Sequence, residues 1–250
     1  MQISKYIVIF LYGIVIGSFL NVCTYRIPKE EDIVKERSHC MTCGHTLRWY
    51  ELIPVFSYLL QRGRCRSCGT KLSIQYPLME VLNGVLYVII IHRVGITPYG
   101  ILLCLLCSIL LVLSVIDFRT YYIPIGINIC VLIIGLVYTC FDYKNVSNHL
   151  WGMIGVSGFL FALYLLTKKR GIGDGDIKLM IGAGAFLGVW PSILALWIAC
   201  LLGAVIHSIR MKVSKVGHQL AFGPYLAIGI LFSALYGEEL IHRYMEYLMR

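Results

Sequence analysis

Two acidic residues and four cysteines carry the chemistry of this chain. Asp117 closes an apolar run in Ser-Val-Ile-Asp-Phe-Arg-Thr-Tyr-Tyr-Ile-Pro, and Asp176 opens one in Gly-Ile-Gly-Asp-Gly-Asp-Ile-Lys-Leu-Met. A carboxylate at the edge of a membrane-like run is costly and usually persists for a purpose. Two carboxylates within reach of each other cannot both ionise easily. One stays ionised and takes a proton from water, while the other keeps its proton and polarises a carbonyl. This is the chemistry of an aspartic peptidase. No Ser-His or Cys-His pair competes, because His92, His149 and His242 fall at the opposite ends of the expected helices. Asp174 ranks second to Asp176, since its glycine neighbours place it in the loop. The plain structural alternatives are a helix N-cap for Asp176 and an ion pair with Arg119 for Asp117.

Cys40-x-x-Cys43 and Cys65-x-x-Cys68 form a second constellation, each pair followed by a glycine, Gly44 and Gly69. Four thiolates close a tetrahedral shell around Zn²⁺, which makes such a site structural. The competing reading is thiol–disulfide exchange, and His39 and His45 flank the first pair as substitute ligands. A metal here staples a segment too small and polar to build its own core. The remaining cysteines, Cys23, Cys104, Cys107, Cys130, Cys140 and Cys200, lie in apolar runs and read as small buried hydrophobes.

The elements that hold these groups follow from composition. Of 250 residues, 58% are hydrophobic and 14% charged, and the mean hydropathy is +0.78. Soluble chains carry about 25% charged residues, so this one belongs in a bilayer. Apolar runs predict helices at roughly 5–23, 79–94, 99–116, 123–141, 149–166, 177–190, 192–209 and 223–241. The expected fold is an all-α polytopic bundle of about eight transmembrane helices with a small cytoplasmic zinc-knuckle segment. Its divisions are a first transmembrane helix at 1–24, a tetracysteine segment at 25–78 and a transmembrane core at 79–250. The alternative for the first run, a signal peptide cleaved after Gly17-Ser18, would remove a patterned stretch. Gly184 and Gly188 give the sixth run a small-xxx-small face, expected to pack on the third.

The net charge of +9 is no nucleic-acid signal, because the cations sit in loops with no aromatic interleaving. Placing the tetracysteine segment in the cytoplasm puts all Lys and Arg but Lys5, Arg93, Lys144, Arg243 and Arg250 on that side, as the positive-inside rule requires. Both aspartates then face the cytoplasm.

Together the motifs resemble the type IV prepilin peptidases of pilus assembly, secretion and competence systems. The resemblance covers Gly17-Ser18-Phe19-Leu20-Asn21-Val22, Tyr25-Arg26-Ile27-Pro28, both cysteine pairs, Tyr50 to Tyr58, Tyr76-Pro77-Leu78-Met79-Glu80, both aspartate motifs and Phe222-Gly223-Pro224-Tyr225. It implies cleavage of a basic leader from prepilins or pseudopilins after a glycine, at the cytoplasmic face of the inner membrane. It also implies N-methylation of the new terminus from S-adenosylmethionine, with the cytoplasmic segment linked to methyl transfer. Asp117 and Asp176 match the family's catalytic aspartates, and the four cysteines match its zinc-associated set. Ile125 and Ile172 depart from the usual pattern. Asn21 and Arg26 read either as substrate or cofactor contacts or as helix capping and headgroup anchoring. Glu80 reads as a helix-dipole partner or as a contact to a cofactor amine. Two other functions compete: a transporter relaying ions through its acids, and a non-enzymatic assembly factor with a zinc docking segment.

Overall fold

A computed structural model of the chain describes residues 2–168, 171–214 and 220–249. Lys169, Arg170, Lys215 and Arg250, used above for topology, lie outside the described residues. Among those described there are helices and no strand. They are α1 (Gln2–Arg26), a short α2 (Phe56–Leu60), α3 (Gln75–Val94), α4 (Pro98–Thr120), α5 (Ile125–Phe141), α6 (Val146–Leu166), α7 (Asp174–Leu187), α8 (Val189–Ser214) and α9 (Gly223–Leu248). The eight expected helices are present, with ends moved by a few residues. Six are long and apolar enough to cross a membrane, and α5 is a shorter apolar helix. α7, with 14 residues, spans about 21 Å at 1.5 Å per residue. It stops at Gly188, whose φ of +79° ends the helix. The chain is a multi-pass membrane protein. It divides into two compact units, Met1–Gly95 and Ile96–Arg250.

In the first unit α1 packs on α3. A Cβ added at Gly13 would lie 2.6 Å from Gly84 Cα, and one at Gly17 would lie 2.7 Å from Glu80 Cα. These residues let two backbones touch, and Asn83 Nδ2 donates to the Gly13 carbonyl at 2.8 Å across the seam. Between the helices runs the tetracysteine segment. Arg26, at the end of α1, organises its start: its guanidinium donates to the carbonyls of Asp32, Ile33, Glu36 and Arg37. Neither a headgroup nor a substrate contact is needed to explain it.

In the second unit α5 and α6 flank α7, while α9 packs on α4 and α8. Contrary to the expectation that it packs on α4, the small face of α7 packs on α5 and α6. It meets facing glycines: a Cβ on Gly135 of α5 would strike the Gly182 carbonyl, and one on Gly184 would strike the Gly152 carbonyl of α6. Close approach needs small residues on both partners, and α5 and α6 supply them at Gly135 and Gly152. Cys104 and Cys107 are buried in α4, but Cys130, Cys140 and Cys200 are exposed on the outer helix faces. Hydropathy cannot separate buried from lipid-facing positions, because both are apolar. The histidines set aside above have partners of their own: His92 meets the Tyr6 hydroxyl at 3.1 Å, His149 meets Asp142 at 3.2 Å, and His242 meets Glu246 at 3.4 Å.

Candidate active site and metal centre

α4 begins cleanly, with Thr97 Oγ1 accepting from Gly100 N at 3.0 Å and Pro98 in the first turn. It ends at Tyr121, where φ is +55° and the N–H returns to the Asp117 carbonyl at 2.8 Å. Asp117 therefore sits in the last turn and is only 4% exposed. Its Oδ2 accepts Gly223 N–H at 2.8 Å from the start of α9. A Cβ at Gly223 would lie 2.8 Å from that same oxygen. The missing side chain makes the seat for the carboxyl.

Asp176 is built on the same plan. Gly173 is the N-cap of α7, so Asp176 is the third residue of the helix, not the cap. Its carboxyl turns back toward Gly173, where an added Cβ would lie 2.9 Å from Asp176 Oδ2. Asp176 is 8% exposed, and the charge of Asp117 acts on it directly. Both carboxyls are thus buried at helix ends, within electrostatic reach of each other. Asp174 points elsewhere: it is exposed and pairs with Lys178 at 2.6 Å, which gives Lys178 a local charge-balancing role.

Two contributors carried little or no signal in the sequence. Gly223 stood out only as part of Phe-Gly-Pro-Tyr opening an apolar helix. Asn128 of α5 is buried and donates through Nδ2 to the Gly175 carbonyl at 3.3 Å, holding the first turn of α7 beside Asp176. A lone asparagine in an apolar run is a signal of this kind, because a buried amide needs partners.

The four cysteines form one cluster, with their sulfurs all within 4.8 Å of one another. Cys40 Sγ and Cys68 Sγ are 3.9 Å apart. A tetrahedron with Zn–S bonds of about 2.3 Å has edges of about 3.8 Å, whereas a disulfide needs about 2.05 Å. The residues therefore fit a tetrahedral metal. Each knuckle is the same turn: Cys40 N bonds the His45 carbonyl and Gly44 N the Cys40 carbonyl, while Cys65 N bonds Thr70 and Gly69 N bonds Cys65. Gly44 and Gly69 have φ of +70° and +71°, the conformation that favours glycine. The N–H groups of Cys43 and Thr42 hold the Cys40 thiol below the usual range and the Thr70 hydroxyl and N–H bring Cys68 down to about 6, while burial and the three facing thiols push Cys43 up to about 11. A lowered pKa favours the thiolate, the form that binds metal. His45 does not substitute as a ligand: its Nε2 meets Glu51 at 3.4 Å. His39 Nδ1 lies 3.2 Å from the Arg37 carbonyl.

Glu80 is not a helix-end residue. It lies in the second turn of α3, where its Oε2 accepts Val55 N–H at 2.7 Å. Val55 has a φ of +61°, a strained value for a β-branched residue, so Glu80 holds the loop in a conformation it would otherwise leave.

A polytopic helical membrane protein with two buried, glycine-seated carboxyls and a four-cysteine cluster is what fold and site define, and the chain belongs to the type IV leader peptidase family. Residues 104–208 match the Type IV leader peptidase family, and residues 11–94 match the Bacterial Peptidase A24 N-terminal domain. Among similar proteins is a Prepilin leader peptidase/N-methyltransferase of Pseudomonas putida, 32% identical over 94% of this chain and 92% of its own length. Proteins of the same name from Neisseria gonorrhoeae (35% identical, 89% and 88% covered) and Bacillus subtilis strain 168 (30% identical, 96% and 97%) are also similar. No solved structure matches.

Proposed function

We propose that the chain is a bifunctional prepilin-processing enzyme that cleaves the leader after a glycine and then N-methylates the new terminus. Hydrolysis is assigned to Asp117 and Asp176, and the observation that carries the reading is their joint burial, each carboxyl seated against a glycine. Burial and mutual charge keep one proton on the pair. The ionised partner takes a proton from the attacking water, and the protonated partner donates to the oxygen of the scissile carbonyl. As the tetrahedral adduct collapses, the proton gained from water passes to the leaving amine. Gly173 and Gly223 hold the carboxyls in place, so little reorganisation is needed during reaction.

Methyl transfer is assigned to the tetracysteine segment at 25–78, with S-adenosylmethionine as donor. Cys40, Cys43, Cys65 and Cys68 would hold a structural Zn²⁺, which supplies folding energy, not chemistry. The excess of Lys and Arg on one side supports an inner-membrane protein with its active site facing the cytoplasm. The test uses detergent-purified protein, a prepilin-like peptide and S-adenosylmethionine, with products weighed by mass spectrometry. Leader loss after glycine and gain of one methyl group on the new terminus are expected; an uncut peptide would overturn the reading.

A further inference from the structure

The unit Met1–Gly95 contains a cavity of about 400 Å³, within the range of about 300–1,000 Å³ typical of small-molecule sites. Asn21 and Tyr25 of α1, Tyr76 and Glu80 of α3, and Glu51 and Tyr58 of the tetracysteine segment are among its walls. Asn21 is the informative one. It is 2% exposed, and its Nδ2 donates to the carbonyls of Tyr76 at 3.0 Å and Gly17 at 3.4 Å. Those two bonds fix the orientation of the amide. Its Oδ1 then has no partner among the described residues. A buried acceptor left unpaired is costly, and it persists most readily where a ligand supplies the donor.

The rest of the wall favours a cation. Glu51 Oε2 accepts Arg48 N–H at 2.8 Å and meets His45 Nε2 at 3.4 Å, and Glu80 Oε2 accepts Val55 N–H at 2.7 Å. The rings of Tyr25 and Tyr76 stack with centroids 5.8 Å apart, and aromatic faces attract cations. Arg26 also lines the cavity, but its guanidinium is committed to four carbonyls of the 32–37 loop. Lys71 and His39 line it too, so the wall combines carboxylates, π faces and an unpaired acceptor with basic side chains, a surface for a zwitterionic ligand that carries a cation, N–H groups and a carboxylate.

We propose that this cavity binds S-adenosylmethionine, with an N–H of the donor on Asn21 Oδ1 and its positive charges toward Glu51, Glu80 and the tyrosine rings. The assignment rests on the methyltransferase reading above. In the transfer, the neutral N-terminal amine forms an N–C bond with its lone pair as the C–S bond breaks. The bonding pair returns to sulfur, leaving a neutral thioether, and the methylated ammonium releases its proton.

The test is calorimetric binding of S-adenosylmethionine to the full chain in detergent with no amine acceptor present. It is paired with ultraviolet cross-linking of methyl-labelled donor and peptide mapping of the wild type. The label is expected within residues 18–80, and S-adenosylhomocysteine, which lacks the sulfonium charge, is expected to bind several-fold more weakly. Asn21→Leu should weaken donor binding by roughly five- to tenfold. Asn21→Asp also loses the Nδ2 bond to Tyr76 but keeps an acceptor oxygen, so it should bind several-fold better than Asn21→Leu. Equal binding by both variants and the wild type, or label confined to Ile96–Arg250, would overturn the site while the methyltransferase reading stands. Failure of the wild type both to bind the donor and to methylate a cleaved peptide would overturn both. Unfolding midpoints check that the variants fold, and if neither does, the cross-link position decides alone.

Discussion

Gly223→Ala separates a seated carboxyl from a merely nearby one. The new Cβ would lie 2.8 Å from Asp117 Oδ2 and 2.8 Å from Leu113 Cδ2. Ordinary contact begins at 3.4 Å, so the carboxyl must retreat by about 0.6 Å, and a catalytic group misplaced by about 1 Å costs about 100-fold in rate. The atoms it strikes are side-chain ends, so the fold can absorb the change locally. Leader cleavage should therefore fall by roughly 10- to 100-fold, while the thermal unfolding midpoint in detergent moves little. Gly158→Ala is the control, because nothing lies within 4 Å of its added Cβ. Cleavage by Gly223→Ala within twofold of wild type, measured on a quenched prepilin peptide, would refute the claim that this glycine sets the Asp117 geometry.

Other outcomes follow from the same geometry. Gly184→Ala drives a Cβ into the Gly152 carbonyl, a backbone atom with no room to retreat, and should destabilise by about 1–3 kcal/mol in a denaturation series where Gly158→Ala is neutral or slightly stabilising. Gly44→Ala and Gly69→Ala should each cost about 1–2 kcal/mol, by similar amounts because the two turns match, and each should release metal at lower chelator concentration. Elemental analysis should find one zinc per chain, lost in Cys40→Ser and Cys65→Ser. Asp174→Asn removes an exposed pair with Lys178 and should leave cleavage near the wild-type rate.

Much of the fold was legible because hydrophobic runs of membrane length leave few alternatives. The runs ending at Asp117 and beginning near Asp176 put both acids at helix ends, and the two CxxCG units dictate their own turns through Gly44 and Gly69. What stayed hidden depends on contacts between segments remote in sequence. Nothing local links Gly223 to Asp117 or Glu80 to the strained Val55. The face of α7 was visible as small residues, but its partner was not, since the matching glycines lie one each on α5 and α6. Lipid-facing cysteines resembled core cysteines for a related reason: the bilayer accepts the same side chains the core does.

The central claim is that Asp117 and Asp176 act as one catalytic pair. It is tested most directly by measuring leader cleavage in purified Asp117→Asn and Asp176→Asn, each checked for an unchanged unfolding midpoint. Each single change should remove essentially all cleavage, with the double variant no worse, because half a shared-proton pair does not work. Normal cleavage by either well-folded single variant would contradict the account.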